Sequence, residues 1–194
     1  ALTISPAPLQ VDVLSPNRCT SGNPWTNTCV LAAGAFIEFK ARSSLTISST
    51  QPIQVGQFFA GQETTLGSPR PEQGDPSFVL LPPVEQWRSN YTVLTAPGIK
   101  DNYLGLVIDN AKVLSVQVDG TAVSGFQPVG ATTFRSLNVP VSVGTHIINV
   151  VAKPGVTQQP GAGVTVYGFD NYVSYGYTGG LDLSTIVPGI IPGG

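Results

Sequence analysis

Val113-Leu114-Ser115-Val116-Gln117-Val118-Asp119-Gly120 decides the fold class. Apolar and polar residues alternate with a period of two, as a half-buried strand requires. The run ends in Asp-Gly, the pair that a tight hairpin turn prefers because both central residues take positive φ. A strand followed by an immediate reversal is therefore expected at this point.

The same pattern extends outward in both directions. Leu9–Val13, Phe36–Phe39 and Leu45–Ser48 alternate before it, and Val139–Val143 and Gly163–Gly168 after it. Val, Ile, Thr, Tyr and Phe fill these runs, and Ala33-Gly34, Val143-Gly144, Pro154-Gly155 and Pro160-Gly161 punctuate them. No window of a dozen residues keeps a 3.6-residue period. The expected fold is all-β, a single antiparallel β-sandwich of jelly-roll type. Gln62–Pro76 is a long irregular connection, and Leu81-Pro82-Pro83-Val84 marks an edge or corner. The expected organisation is an extended N-terminal segment (1–16) available for exchange with a neighbour, a sandwich over 17–183 and a Pro/Gly-rich apolar tail over 184–194.

Composition narrows the function. The 194 residues carry nine Lys+Arg and eleven Asp+Glu, a net charge of −2, and only 10% of them are charged. There is no basic excess to neutralise a phosphate backbone, so nucleic acid is excluded as a partner. No apolar run reaches the roughly 18–20 residues of a membrane-spanning helix. Glycine (22) and proline (17) make up one residue in five, which suits turns and not helices. The sequence starts Ala1-Leu2-Thr3 and contains no Met. The expectation is an exported chain from which a signal peptide has been removed, or an excised piece. Cys19 and Cys29 bracket a segment of turn-forming residues and are expected to form a disulfide, in keeping with a secreted or cell-surface location. Asn90-Tyr91-Thr92 is a formal glycosylation sequon.

Several stretches resemble one family. They are Gln51-Pro-Ile-Gln-Val-Gly-Gln-Phe-Phe-Ala-Gly-Gln62, Gly74-Asp75-Pro76-Ser77-Phe78, Leu81-Pro82-Pro83-Val84-Glu85-Gln86-Trp87 and Tyr91-Thr92-Val93. Asn102-Tyr103, Val118-Asp119-Gly120, Gly144-Thr145-His146, Val166–Phe169 and Ser174-Tyr175-Gly176-Tyr177-Thr178-Gly179-Gly180-Leu181 follow in order. Over about residues 30–183 the chain resembles the C-terminal portion of IgGFc-binding-protein-type domains. The resemblance implies a secreted or surface-exposed module of the kind found in mucin-associated animal proteins and large bacterial surface proteins. It supplies no catalytic residues.

Candidate chemistry is sparse. His146 is the only histidine, and no Gly-x-Ser-x-Gly elbow accompanies it. It reads as a structural strand residue. Glu85, with Asp75, could form a glycosidase-like carboxylate pair, or Glu85 could pin the Pro-Pro corner. Trp87 beside Glu85, and Tyr172, Tyr175 and Tyr177 in the densest aromatic run, are the candidate binding residues, either as core packing or as a platform for sugar rings or another protein. Asp170-Asn171 is the expected turn within that run. No cofactor is expected. A Ca²⁺ ion could be held by the acidic turns at Asp101, Asp109, Asp119 and Asp170, but no compact Asp-rich repeat supports one. The expected function is a non-catalytic extracellular module for adhesion or for self-assembly into a surface structure such as a filament, with copies of itself as partners through strand addition by the termini. A carbohydrate or mucin-like glycoprotein is the alternative partner, and a glycoside hydrolase the least favoured reading.

Overall fold

The structure, a computed structural model, describes residues 1–5, 14, 18–23, 28–41, 43–61 and 73–183. Its described strands are β1 (Leu2–Ser5), β2 (Cys19–Asn23), β3 (Thr28–Leu31), β4 (Thr46–Ser49), β5 (Val55–Phe59), β6 (Ser77–Leu81), β7 (Asn90–Leu94), β8 (Asp101–Asp109), β9 (Val113–Val118), β10 (Thr121–Val123), β11 (Gln127–Pro128), β12 (Phe134–Val141), β13 (Thr145–Ala152), β14 (Ala162–Asp170) and β15 (Val173–Thr178). The alternation at Leu9–Val13, most of the 62–76 connection and the 184–194 tail lie outside the described residues.

The chain divides into two compact units, one of Ala1–Ile53 with Pro128–Thr133 and one of Gln54–Gln127 with Phe134–Gly194. In the first, four strands order as β2-β3-β1-β4. Leu2 and Ile4 alternate inward from β1 and pack with Cys29, against Leu31, Ile37, Leu45 and Ile47. β1 is an interior strand, paired on both sides within its own chain. Within residues 2–5, Leu2 and Thr3 pair with both β3 and β4, and Ile4 and Ser5 pair with β4. Phe36–Phe39, expected as a strand, contributes only an isolated bridge. Phe36 is exposed, with the Arg18 guanidinium 4.9 Å above its ring.

The expected disulfide is present and ties β2 to β3, Cα to Cα 5.3 Å. It closes a short loop beside a small core. Reduction is expected to destabilise this unit by about 2–3 kcal/mol, from loop entropy alone. A urea titration with and without reductant, read out by exchange of the β1 and β4 amides, checks the figure.

In the second unit, β10-β9-β13-β7 form one antiparallel sheet and β11-β12-β8-β14-β15 another, with β5-β6 as a separate hairpin. The core lies between the two larger sheets: Leu104, Leu106 and Ile108 from β8, Val164 and Val166 from β14, and Val116, Ile148 and Val150 from β9 and β13, all buried. This is the all-β, antiparallel architecture expected of the sequence. The Asp119-Gly120 turn is also as expected, with φ of 52° and 79° between β9 and β10. One alternation breaks. β9 pairs Ser115 with Val151 and Val113 with Ala152, so Leu114 is an extra residue in the ladder. It turns out to solvent while Val113 is buried. The last hairpin turns one residue later than expected. β14 runs to Asp170, and Asn171-Tyr172 make the turn, with Tyr172 at φ 50°. Asp170 holds it there, accepting the Asn171 amide on Oδ1 and the Lys100 amide on Oδ2.

Candidate functional site

The expected site residues fall into two groups. The first is the corner after β6, where Pro82 and Pro83 stop the ladder and Val84–Gln86 form one 3-10 turn. Glu85 points outward and is exposed. Gln86 is buried, and its carbonyl accepts the Asp182 amide. Asp75 and Glu85 flank opposite ends of β6. The strand's four steps cover about 13 Å. Trp87 lies edge-on to Phe134, ring centroids 5.9 Å apart, and its indole rests over Gly163. The indole Nε1 is buried and has no hydrogen-bond partner. Trp87 also borders a cleft of about 360 Å³ with Arg88, Ser89, Asn90, Gln159 and Asp182. The sequon residue Asn90 is exposed here, its amide donating to the Ser89 hydroxyl.

The second group is the last hairpin. Tyr172 sits exposed at the turn. Tyr175 donates to Asn102 Oδ1 at 2.6 Å and accepts the Ala96 amide, and burial raises its pKa. Tyr177 donates to the Leu94 carbonyl at 2.6 Å and accepts the Leu94 amide. The Tyr175 and Tyr177 hydroxyls thus bolt β15 to the end of β7, across the two sheets. Sequence reading found these tyrosines but not this use of them.

The acidic turns carry local chemistry. Asp109 accepts the Ala111 amide, Asp170 the two amides named above, and Asn102 donates to the Ile99 carbonyl. Among the described residues no group of three or more His, Cys, Asp and Glu could hold a metal ion.

His146 is buried on β13. Its Nδ1 lies 2.7 Å from Asp119 Oδ2 and its Nε2 lies 2.9 Å from the Ser142 carbonyl. Both ring nitrogens face oxygen acceptors, so only the imidazolium, with two N–H groups, satisfies both. Burial opposes the charge, but the Asp119 bond and the Ser142 carbonyl outweigh it and raise the pKa. The His146 bond, helped by the Ile147 amide on Oδ1, lowers that of Asp119. Val118-Asp119-Gly120 and Gly144-Thr145-His146, distant in sequence, are therefore two halves of one clasp.

Two features escaped the sequence reading. On the outer face of the five-stranded sheet, Tyr103 stacks on Tyr167 at 5.4 Å, and Phe59 from β5 stacks on Tyr167 at 5.3 Å. Burial, with a contribution from Tyr103, pushes the Tyr167 hydroxyl up to about 12. On the β5-β6 hairpin, Gly56 pairs with Leu80 and Phe58 with Phe78. These residues share a face that leaves Phe58 67%, Phe78 49% and Leu80 46% exposed. The signal was available in Gln57-Phe58-Phe59 and Phe78-Val79-Leu80. Alternation there puts one apolar set inward and a second outward.

Comparison with protein families finds a match over residues 13–168 to the family described as IgGFc binding protein. No curated protein and no solved structure matches the chain.

Proposed function

The chain belongs to the IgGFc binding protein family, and from that membership we propose that it is a non-catalytic extracellular module that associates with copies of itself through the β5 edge. Membership supports the coarser part, an extracellular binding module. No helix among the described residues is long and apolar enough to cross a membrane, which fits a secreted or cell-surface place.

The observation that carries the self-association is the β5-β6 face. Among the described residues β5 pairs only with β6. Protein edges of this kind are usually blunted by lysine, proline or a bulge. Val55–Phe59 and Ser77–Leu81 contain no charged residue and no proline. The exposed Phe58, Phe78 and Leu80 stand beside that open ladder. A second copy fits best, because the same uncharged edge can pair antiparallel with itself about a two-fold axis, burying both apolar faces. A net charge of −2 offers little repulsion to such an approach.

Light scattering across a concentration series tests this. The wild-type chain is expected as a dimer or larger, and the double variant Gln57→Lys, Phe58→Ser as a monomer with unchanged circular dichroism. A wild-type monomer at every concentration, or a variant that associates as before, overturns the reading.

A further inference from the structure

We propose that the outer face of the five-stranded sheet binds neutral sugar rings in a trough centred on Gly105. Tyr103 pairs with Tyr167, Gly105 with Thr165 and with Asn138, and Val107 with Gly163. Tyr103, Gly105 and Val107 alternate with the buried Asn102, Leu104, Leu106 and Ile108, so these rows share the face turned away from the core. Along β14, the Trp87 indole stands over Gly163 and the Tyr103–Tyr167 stack stands four residues on, about 13 Å away. Gly105 has no side chain between them. A Cβ there would meet Tyr167, Asn138 Oδ1 and the Thr165 Cβ at 3.4–3.7 Å, so the glycine leaves a notch walled by an aromatic ring, an amide and a threonine.

The polar atoms around the notch are uncommitted. The side-chain polar atoms of Tyr103, Thr165 and Asn138 bond to no other residue among those described, and none of them is buried. Tyr167 already stacks on both Tyr103 and Phe59 and serves as a wall, so the aromatic surface offered is that of Trp87 and Tyr103. Such rings, interleaved with hydroxyl and amide groups, match a sugar ring, which presents C–H faces to the former and hydroxyls to the latter. Trp87, Tyr103, Gly105, Asn138, Thr165 and Tyr167 include no charged residue, which selects neutral sugars over sialylated or sulfated ones. Peptide is disfavoured as the occupant. β8 and β14 are interior strands with both edges paired, so the floor has no backbone groups left to offer an added strand.

This site is independent of the β5 edge, and its test separates the two. The full chain is applied to an array of neutral, sialylated and sulfated oligosaccharides, and the strongest neutral ligand is then titrated calorimetrically. Binding to neutral glycans is expected, weakened at least about tenfold by Tyr103→Ala and by Gly105→Leu, with melting temperatures confirming that each variant folds. Asn138→Ala, at an exposed position, gives a second reading with little risk to the fold. Phe58→Ser, which touches only the association edge, is expected to bind as wild type. No binding to any neutral glycan, a preference for charged glycans, or affinity that survives both Tyr103→Ala and Gly105→Leu would each overturn the proposal.

Discussion

Asp119→Ala is expected to destabilise the second unit by about 2–3 kcal/mol. The substitution removes the acceptor of a charge-assisted hydrogen bond, worth about 1.5–3 kcal/mol, and His146 without its counterion sheds its proton instead of staying buried as a cation. The Asp119 side chain is 48% exposed, so water screens part of the attraction and the larger cost of breaking a fully buried pair does not apply. The same change removes the acceptor of the Ile147 amide and puts alanine at φ 52°, where aspartate is tolerated better. The pH profile follows from the two shifts. His146 is raised above 6.5, so its contribution is complete below that value and is lost as pH climbs through the raised one. Asp119 is lowered below 3.8, so its contribution is complete above that value and is lost as pH falls through the depressed one. Urea midpoints are thus expected to be highest from about pH 4 to 6.5 and to decline as pH rises beyond that window. Asp119→Asn keeps the turn and one acceptor, and its amide can donate to a neutral imidazole. It should cost less than alanine and flatten the decline above about pH 6.5. A wild-type midpoint that does not change between pH 6 and pH 9 would sink the account.

How legible this was depends on how many faces of a strand are wet. Where apolar and polar residues alternate, as at Val116–Val118 and in the Asp119-Gly120 hairpin that follows it, period two and turn chemistry suffice. β8 is the counterexample. Its sequence, Asp-Asn-Tyr-Leu-Gly-Leu-Val-Ile-Asp, has apolar residues at successive positions and hides its alternation. Tyr103 and Val107 are apolar on the face away from the core. The property that obscured the central strand is thus the one that makes its outer face a candidate for binding. The site residues show a similar split. Trp87, Tyr175 and Tyr177 stood out by type and density, but type does not reveal a hydrogen-bond partner. Tyr175 meets Asn102 across 73 residues and Tyr177 meets Leu94 across 83, contacts that only the strand order creates. The clasp between Asp119 and His146 was missed for the same reason. Leu114 was misplaced because a one-residue bulge leaves no trace in an alternating run.

Gly161→Ala is expected to cost about 3 kcal/mol, the upper end for an inserted methyl group, because it meets the Trp87 carbonyl group and the Trp87 Cβ, which is fixed to the main chain. A Cβ at Gly161 would stand 2.5 Å from the Trp87 carbonyl carbon and 2.6 Å from its oxygen. A side chain in that place could rotate aside, but this backbone is pinned from both directions. The Ala162 amide donates to the Arg88 carbonyl at 3.0 Å. The Arg88 amide donates to the Tyr91 hydroxyl at 2.7 Å, and that hydroxyl donates to the Ala162 carbonyl at 2.5 Å. Relief of the clash must stretch this triangle or lift the corner that carries Trp87. Either route also moves the indole off Gly163, so the effect is expected in two readouts, a lower urea midpoint and a changed Trp87 fluorescence in the folded state. The second tryptophan, Trp25, is removed by Trp25→Phe in both chains so that the signal reports Trp87 alone. Gly155→Ala is the contrast. Gly155 has open space around its Cβ position and a φ of 82°, so only backbone strain of about 1 kcal/mol is expected there. Equal losses at the two glycines would mean that the Trp87 corner yields, and that close approach of Gly161 to Trp87 is not what fixes the corner against β14.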